Sequence, residues 1–336
     1  MSSAPSTDDI ARDATWLAQA LDPSAGLVRL IAMDGAAYRS ASFLDDRMLQ
    51  QAVDAQIVPW PLVETAMGEP FRDDARWIFH IGHVGSTLVS RLLGELNNVL
   101  AIREPRLLRD LAMTPAAARD QFIGCVPKLM SRTFATDELA CVKATSLVSE
   151  IAPQLVPSGQ RALFMFATPA NYVGSILAGE NSVKELRMLA AMRAERMAAR
   201  VEGLNDAARS DAHLAAAAWA CEMTSLEFAA EQMADRQIEW ADFDRMLGDM
   251  PAVLRRAADH FSFPADDAQL RSLANGPLMG RYSKALEYEY SPSLRRELID
   301  EARRSNRADI ESALAMLRGA AEKSPLLARA IRRAEG

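Results

Sequence analysis

No stretch of about eighteen consecutive apolar residues occurs in this chain, so nothing in it reads as a membrane span. Cysteine is scarce. Cys125, Cys141 and Cys221 stand far apart in apolar segments, without metal-ligand spacing, and read as small buried hydrophobes in a reducing compartment. Met1–Asp9 is rich in Ser and Asp and has neither a basic region nor an apolar run. It reads as a disordered tail rather than a secretory signal, and a cytoplasmic location is the expectation. Basic residues are outnumbered: the net charge is −7, which excludes a general attraction for nucleic acid or anionic lipid. His80 and His83 have an H-x-x-H look, yet no third ligand accompanies them, so no metal is expected.

What is present is ample apolar material. Of 336 residues, 49% are hydrophobic and 25% charged, enough for one large α/β domain or a domain with a cap. From Ile10 to about Gly68 the pattern is irregular but helical, and Pro59-Trp60-Pro61 breaks it. Then RWIFHIG (Arg76–Gly82) enters a glycine turn, and Ser86–Leu96 follows with leucines at helical spacing. Val99–Glu104, Ala140–Thr145, Arg161–Ala167 and Arg236–Phe243 read as further strands. Helices are expected at Pro115–Met130, near Leu147–Leu155, from Pro169, and in the Ala-rich stretch Val183–Met233. Strands alternating with helices imply a doubly wound parallel sheet whose ligands bind beyond the carboxyl ends of the strands. The expected organisation is a tail at 1–9, an N-terminal helical, acceptor-side segment at 10–75 packed on the core, and an α/β domain at 76–336. That domain carries a helical insertion at about 183–233 and C-terminal helices.

The chemistry concentrates in HIGHVGSTLVSRLL. Gly82 and Gly85 let the backbone aim several N–H groups at one point, and the helix starting near Ser86 adds its positive dipole end. An anion such as phosphate fits there, which makes the turn a P-loop candidate; the bland alternative is a strand-to-helix connection that binds nothing. The nucleoside-triphosphatase pattern G-x-x-x-x-G-K-[ST] is not met: His80 stands at its first glycine and Ser86 at its lysine. That counts against a kinase or nucleotide hydrolase, for which Asp242 is the one candidate strand-end aspartate.

The stretch His83-Val84-Gly85-Ser86-Thr87-Leu88 resembles the loop of the sulfotransferase family, (Lys/Arg)-Ser-Gly-(Ser/Thr)-Thr before a Leu-rich helix. The resemblance continues through Ile102-Arg103-Glu104-Pro105, Val142-Lys143-Ala144-Thr145 and Phe166–Ser175. It runs on through Trp219–Met223, Asp242-Phe243 and Gly280-Arg281-Tyr282-Ser283-Lys284, covering about residues 76–290 in the manner of bacterial sulfotransferase-like P-loop proteins. It implies a doubly wound sheet and 3′-phosphoadenosine 5′-phosphosulfate as donor, with no metal, and a hydroxyl or amine of a small molecule as acceptor. Gly82, His83, Val84, Gly85, Ser86 and Thr87 would hold the phosphosulfate end, and Ser175 the 3′-phosphate. Arg281, Ser283 and Lys284 would close over the nucleotide. Glu104 falls where several branches of the family place their base, and Lys143 and His83 would stabilise the leaving group. The family's arginine before the 3′-phosphate serine is replaced here by Ala167, and His83 stands for the loop's Lys or Arg.

Sulfuryl transfer between two oxygens needs positioning, cationic stabilisation and one carboxylate to take a proton, so these residue types suit it independently. Duller roles stay open. Glu104 can cap the next helix or pair with Arg106 or Arg109, His83 can be a polar turn residue, and Ser175 an ordinary helix serine. Lys143, inside an apolar strand, needs a partner. A non-catalytic binding protein on the same scaffold is the remaining alternative, and the long helices between Val183 and Met233 offer a surface for a homodimer.

Overall fold

Asp22-Pro23-Ser24-Ala25-Gly26 makes a tight turn. Asp22 Oδ1 accepts the amides of Ser24 (3.0 Å) and Ala25 (3.1 Å), and Gly26 takes φ +63°. The turn joins β1 (Trp16–Asp22) to β2 (Leu27–Ala32), and β3 (Ala55–Pro59) completes an antiparallel sheet in the order β1-β2-β3. This is a computed structural model, which describes residues 4–50, 52–68, 70–204, 210–246, 248–280 and 292–336. The helical reading of residues 10–68 is therefore corrected: three strands occupy it, with only the short helices α1 (Thr7–Arg12), α2 (Gly35–Ser40) and α3 (Trp60–Ala66). Pairing with β2 outweighs the helix preference of the Ala/Leu-rich β1 segment, because strand preference is set mainly by packing context. The tail is corrected too. Ser6 and Asp9 form a capping box that starts α1, and Ile10 is buried; residues 1–3 lie outside the described residues.

The five remaining strands are β4 (Arg76–His80), β5 (Val99–Arg103), β6 (Leu139–Lys143), β7 (Arg161–Phe166) and β8 (Gln237–Asp242). They form one wholly parallel sheet in the order β5-β6-β4-β7-β8. The fold is thus α/β, as its alternating pattern implies. Interior strands of such a sheet are covered on both faces and need no polar alternation, which is why RWIFH is buried almost throughout. After β4 the chain runs outward to β5, whereas after β7 it runs the other way to β8. The two connections diverge between neighbouring strands, and a cleft opens there at the strands' carboxyl ends.

Helix α4 (Ser86–Leu93) follows β4. Three short helices, α5 (Arg106–Met113), α6 (Ala116–Arg119) and α7 (Val126–Ser131), stand between β5 and β6. The single helix expected over Pro115–Met130 is corrected to pieces: Pro127 opens α7, after a 3-10 turn at Ile123–Cys125. Residues Ser146–Ile151 form a 3-10 turn ahead of α8 (Ala152–Leu155). The long helices α9 (Pro169–Leu177), α10 (Glu180–Met197) and α11 (Asp211–Gln232) lead to β8. The C-terminal part holds α12 (Phe243–Met246), α13 (Met250–Phe261), α14 (Asp267–Ala274), α15 (Pro292–Ser305), α16 (Arg307–Ala321) and α17 (Pro325–Glu335). One face of the sheet is covered by α4 and α13, which touch each other; α11 and the Ser146–Ile151 turn lie against β4. β8 is an edge strand, and Arg333 of α17 stacks over its Trp240 at 3.9 Å, blunting that edge.

Buried arginines pin the N-terminal sheet to the parallel one. Arg103, at the end of β5, donates to the carbonyls of Tyr38, Arg39 (3.0 Å) and Ala41 (2.8 Å), which are the orphan acceptors at the end of α2. Burial, with Arg91 adding to it, pulls the ionisation of Arg103 down to about 10. Arg132 does the same for α1, donating to the carbonyls of Ile10, Asp13 (3.2 Å) and Trp16 (2.8 Å). The Leu44 amide then donates to the Arg103 carbonyl at 2.7 Å, so the segment after α2 lies across the end of β5.

Candidate functional site

Three of the four residues from Gly82 to Gly85, in the turn after β4, have a left-handed or near-left-handed backbone. Gly82 has φ +85°, His83 +57° and Gly85 +63°. Gly85 has a second reason to be glycine: a Cβ there would sit 2.0 Å from Cε2 of Phe243. Gly85 is the N-cap of α4, and no side chain caps that end, so the first amides of the helix remain available. The Ser86 and Thr87 side chains are buried against them, and neither hydroxyl has a hydrogen-bond partner among the described residues. Donors with nothing to donate to, at the positive end of a helix, describe an anion cradle.

The cradle floors a cavity of about 200 Å³. His80 shapes its rim from below: its Nδ1 accepts the Gly82 amide at 2.9 Å. That bond assigns the proton of neutral His80 to Nε2, which lies 3.8 Å from Oε1 of Glu104. Glu104 follows β5 with φ +54°, a strained conformation for a non-glycine residue. Its carboxylate pairs with the Lys143 ammonium at the end of β6, and its amide donates to the Lys143 carbonyl at 2.7 Å. Lys143 is 1% exposed and Glu104 8%. The duller readings of Glu104 are not met: Pro105 is the N-cap of α5, without a side-chain bond, and Arg106 pairs with Asp46 and Asp110 instead.

Next to Glu104 sits part of the N-terminal segment, the one expected on the acceptor side, although none of its residues was singled out from the sequence. Arg47 approaches Oε2 of Glu104 at 3.7 Å, is held by Asp45 at 2.6 Å, and lies 3.4 Å over the Phe43 ring. The far wall comes from α9 and α10. Tyr172 and Ile176 face the cavity, and the Tyr172 ring meets the His83 ring edge-on, with centroids 6.2 Å apart. Arg193 closes that wall. Its Nε donates to Oε1 of the fully buried Glu222 at 3.1 Å. Burial works against its charged form, but Tyr172 and Glu222 outweigh it, and the net shift is upward.

Gly82, His83, Val84, Gly85, Ser86, Thr87, Glu104 and Lys143 thus line one cavity, as their places at strand ends suggested. Ser175 is on α9 between Tyr172 and Ile176 but is not among the lining residues. Arg281, Ser283 and Lys284 lie outside the described residues. Ala167 is buried, its carbonyl accepting the Trp219 indole N–H at 2.9 Å, and Thr168 caps α9. Arg103, a basic residue close to Glu104 in sequence, is committed to α2 and does not line the cavity. Phe43, Arg47, Tyr172 and Arg193 were missed. The signal for the last was there: Glu222 in an alanine-rich helix needs a partner when buried, and Arg193, Arg196 and Arg200 recur on one face of their helical stretch.

Beyond Leu186 and Arg193, which line both, a second and mainly apolar cavity of about 210 Å³ lies between α10 and α11. No group of three His, Cys, Asp or Glu side chains among the described residues is placed to hold a metal ion. No helix among them is long and apolar enough to cross a membrane.

Among solved structures, the chain is similar to the sulfotransferase domain from the curacin biosynthetic pathway. The identity is 12% and the TM-score 0.42, covering 69% of this chain and 90% of that one. No family model matches the chain. No curated protein matches it.

Proposed function

We propose that this chain is a sulfotransferase-like enzyme that moves a sulfuryl group from 3′-phosphoadenosine 5′-phosphosulfate to a hydroxyl or amine of a small molecule. The observation that carries the reading is the shared cavity: an uncapped helix start with unpartnered hydroxyls, beside a strained Glu104 held to Lys143. In this reading Gly82–Thr87 holds the phosphosulfate end, and their amides and hydroxyls stabilise charge on the oxygens around sulfur. The acceptor oxygen attacks sulfur in line, a new S–O bond forms, and the bond from sulfur to the bridging phosphate oxygen breaks. The acceptor's proton passes to Glu104. Lys143 holds the Glu104 carboxylate in place beforehand, and with His83 it offsets charge on the departing phosphate.

Phe43 and Arg47 roof the acceptor side, next to Glu104. Water is thereby kept from the carboxylate until an acceptor displaces the roof. Arg281, Ser283 and Lys284 belong to the reading as a nucleotide-covering segment, and Ser175 as a contact to the 3′-phosphate; both assignments rest on the sequence resemblance.

A thermal-shift titration tests this. Saturable stabilisation by 3′,5′-adenosine bisphosphate, with none from ATP and magnesium, is expected. Sulfuryl transfer to an acceptor panel would then follow for the wild type and fail for Glu104→Gln. Magnesium-dependent stabilisation by ATP would move the function to phosphoryl transfer. Failure of every nucleotide to bind would end the enzyme reading.

A further inference from the structure

Arg193 is a cation of this cavity with donors to spare. It is 9% exposed, lines the same cavity as Glu104, and spends only its Nε on Glu222. Its two Nη groups have no hydrogen-bond partner among the described residues. The Nη groups are not among the fully buried orphan atoms, so the fork is open on the cavity side to a charge-assisted contact with an anion.

Its surroundings keep it charged and fixed. Arg193, Arg196 and Arg200 face Glu150 and Glu222, at 3.1 Å and 3.6 Å for the pairs to Glu222 and at 3.1 Å and 2.7 Å for those to Glu150. Within this cluster three guanidinium groups face two carboxylates, and Arg193 is the member that opens on the cavity, which the exposed Glu185 also lines. Arg196 and Arg200 are instead committed to Glu150, with further bonds to the Leu147 carbonyl (3.1 Å) and Ser225 (3.0 Å). The cradle at Gly82–Thr87 and the Arg193 fork therefore face one cavity from different elements, and Tyr172 both meets the His83 ring and feels the Arg193 charge.

We propose that Arg193 holds a second anionic group of the bound ligand, a phosphate, sulfate or carboxylate distinct from the one in the Gly82–Thr87 cradle. The site takes a doubly anionic substrate set, and Arg193 decides for it. Two sources carry that chemistry: a second phosphate on the donor, or an acid group on the acceptor. The inference rests on the anion-cradle reading above.

Calorimetric titration at fixed ionic strength separates the cases. The proteins are wild type, Arg193→Met and Glu222→Gln. The probes are 3′,5′-adenosine bisphosphate, adenosine 5′-monophosphate, and inorganic sulfate added to bisphosphate-saturated protein. If the donor supplies the second anion, Arg193→Met binds the bisphosphate about 10- to 100-fold more weakly and the monophosphate unchanged. If the acceptor supplies it, Arg193→Met leaves both nucleotides unchanged but loses the sulfate that wild type takes up beside the bisphosphate. Either result supports the role. Unchanged binding of all three probes by Arg193→Met overturns it. Should Arg193→Met lose every probe and unfold at lower temperature, Glu222→Gln decides: it removes the partner but keeps the fork. Retained binding in Glu222→Gln supports a direct contact, and an equal loss overturns it. If wild type binds sulfate but no nucleotide, the nucleotide reading has failed, and sulfate stoichiometry in wild type against Arg193→Met still tests Arg193.

Discussion

Lys143 and Glu104 are joined twice, ammonium to carboxylate and carbonyl to amide, the second at 2.7 Å. The double link explains how Glu104 tolerates φ +54°: the backbone bond fixes its amide while the buried ammonium fixes its side chain.

Removing one partner strands the other. Lys143→Met and Glu104→Gln should each destabilise the protein by about 3–5 kcal/mol, while the double variant should lose clearly less than the sum. Urea unfolding of the four proteins gives the coupling. Additive losses would show that the pair does not act as a unit.

Gly85→Ala places a methyl where Phe243 already is. Overpacking should cost roughly 1–3 kcal/mol, and the left-handed backbone about 1–2 kcal/mol more. Adding Phe243→Ala should recover only the overpacking part. The check is thermal unfolding of single and double variants, with sulfate-induced stabilisation as a second readout that neither variant should retain in full.

Arg103→Met leaves the α2 carbonyls without their donor, at about 1–3 kcal/mol for each group that finds no water. Hydrogen exchange should quicken at Tyr38 and Leu44, whereas amides of β4 keep wild-type protection. Equal acceleration in β4 would mean that Arg103 supports the whole sheet rather than the N-terminal attachment.

His260 donates through Nε2 to the Ala162 carbonyl at 3.0 Å, and burial holds its ionisation below the usual 6.5. The folded form therefore refuses a proton that the unfolded chain accepts. Stability should be unaffected by this group above about pH 6.5 and fall as pH drops below it toward the folded value. His260→Gln should flatten that slope between pH 7 and 5 in denaturant unfolding; an unchanged slope would assign the loss to other groups.

The parallel sheet was legible because buried parallel strands are short apolar runs ending in turn residues, and each of Arg76–His80, Val99–Arg103 and Arg161–Phe166 is one. The N-terminal sheet was not. Trp16–Asp22 has a bulge at Gln19, where the β1–β2 register shifts, and a bulge erases the two-residue alternation that marks a strand. Gln19 Nε2 donates to the Leu44 carbonyl at 3.2 Å, so the irregularity that hid the strand also secures the residue beside Phe43. For the candidate site, strand ends pointed to Gly82–Thr87, Glu104 and Lys143, since ligands of such sheets collect there. Phe43, Arg47 and Arg193 arrive from elements distant in sequence, and only tertiary packing brings them in.

The chain order of the Arg103 staple has a consequence for biosynthesis. Phe43 and Arg47 leave the ribosome before any strand they will roof, whereas their anchor, the Arg103 carbonyl and guanidinium, emerges some 60 residues later, beyond both β4 and α4. The roof therefore stays unmoored until the fifth strand is made, and the cradle waits longer still, because β6 and β7, the strands that pair with β4, and Phe243, which packs on Gly85, are all synthesised later.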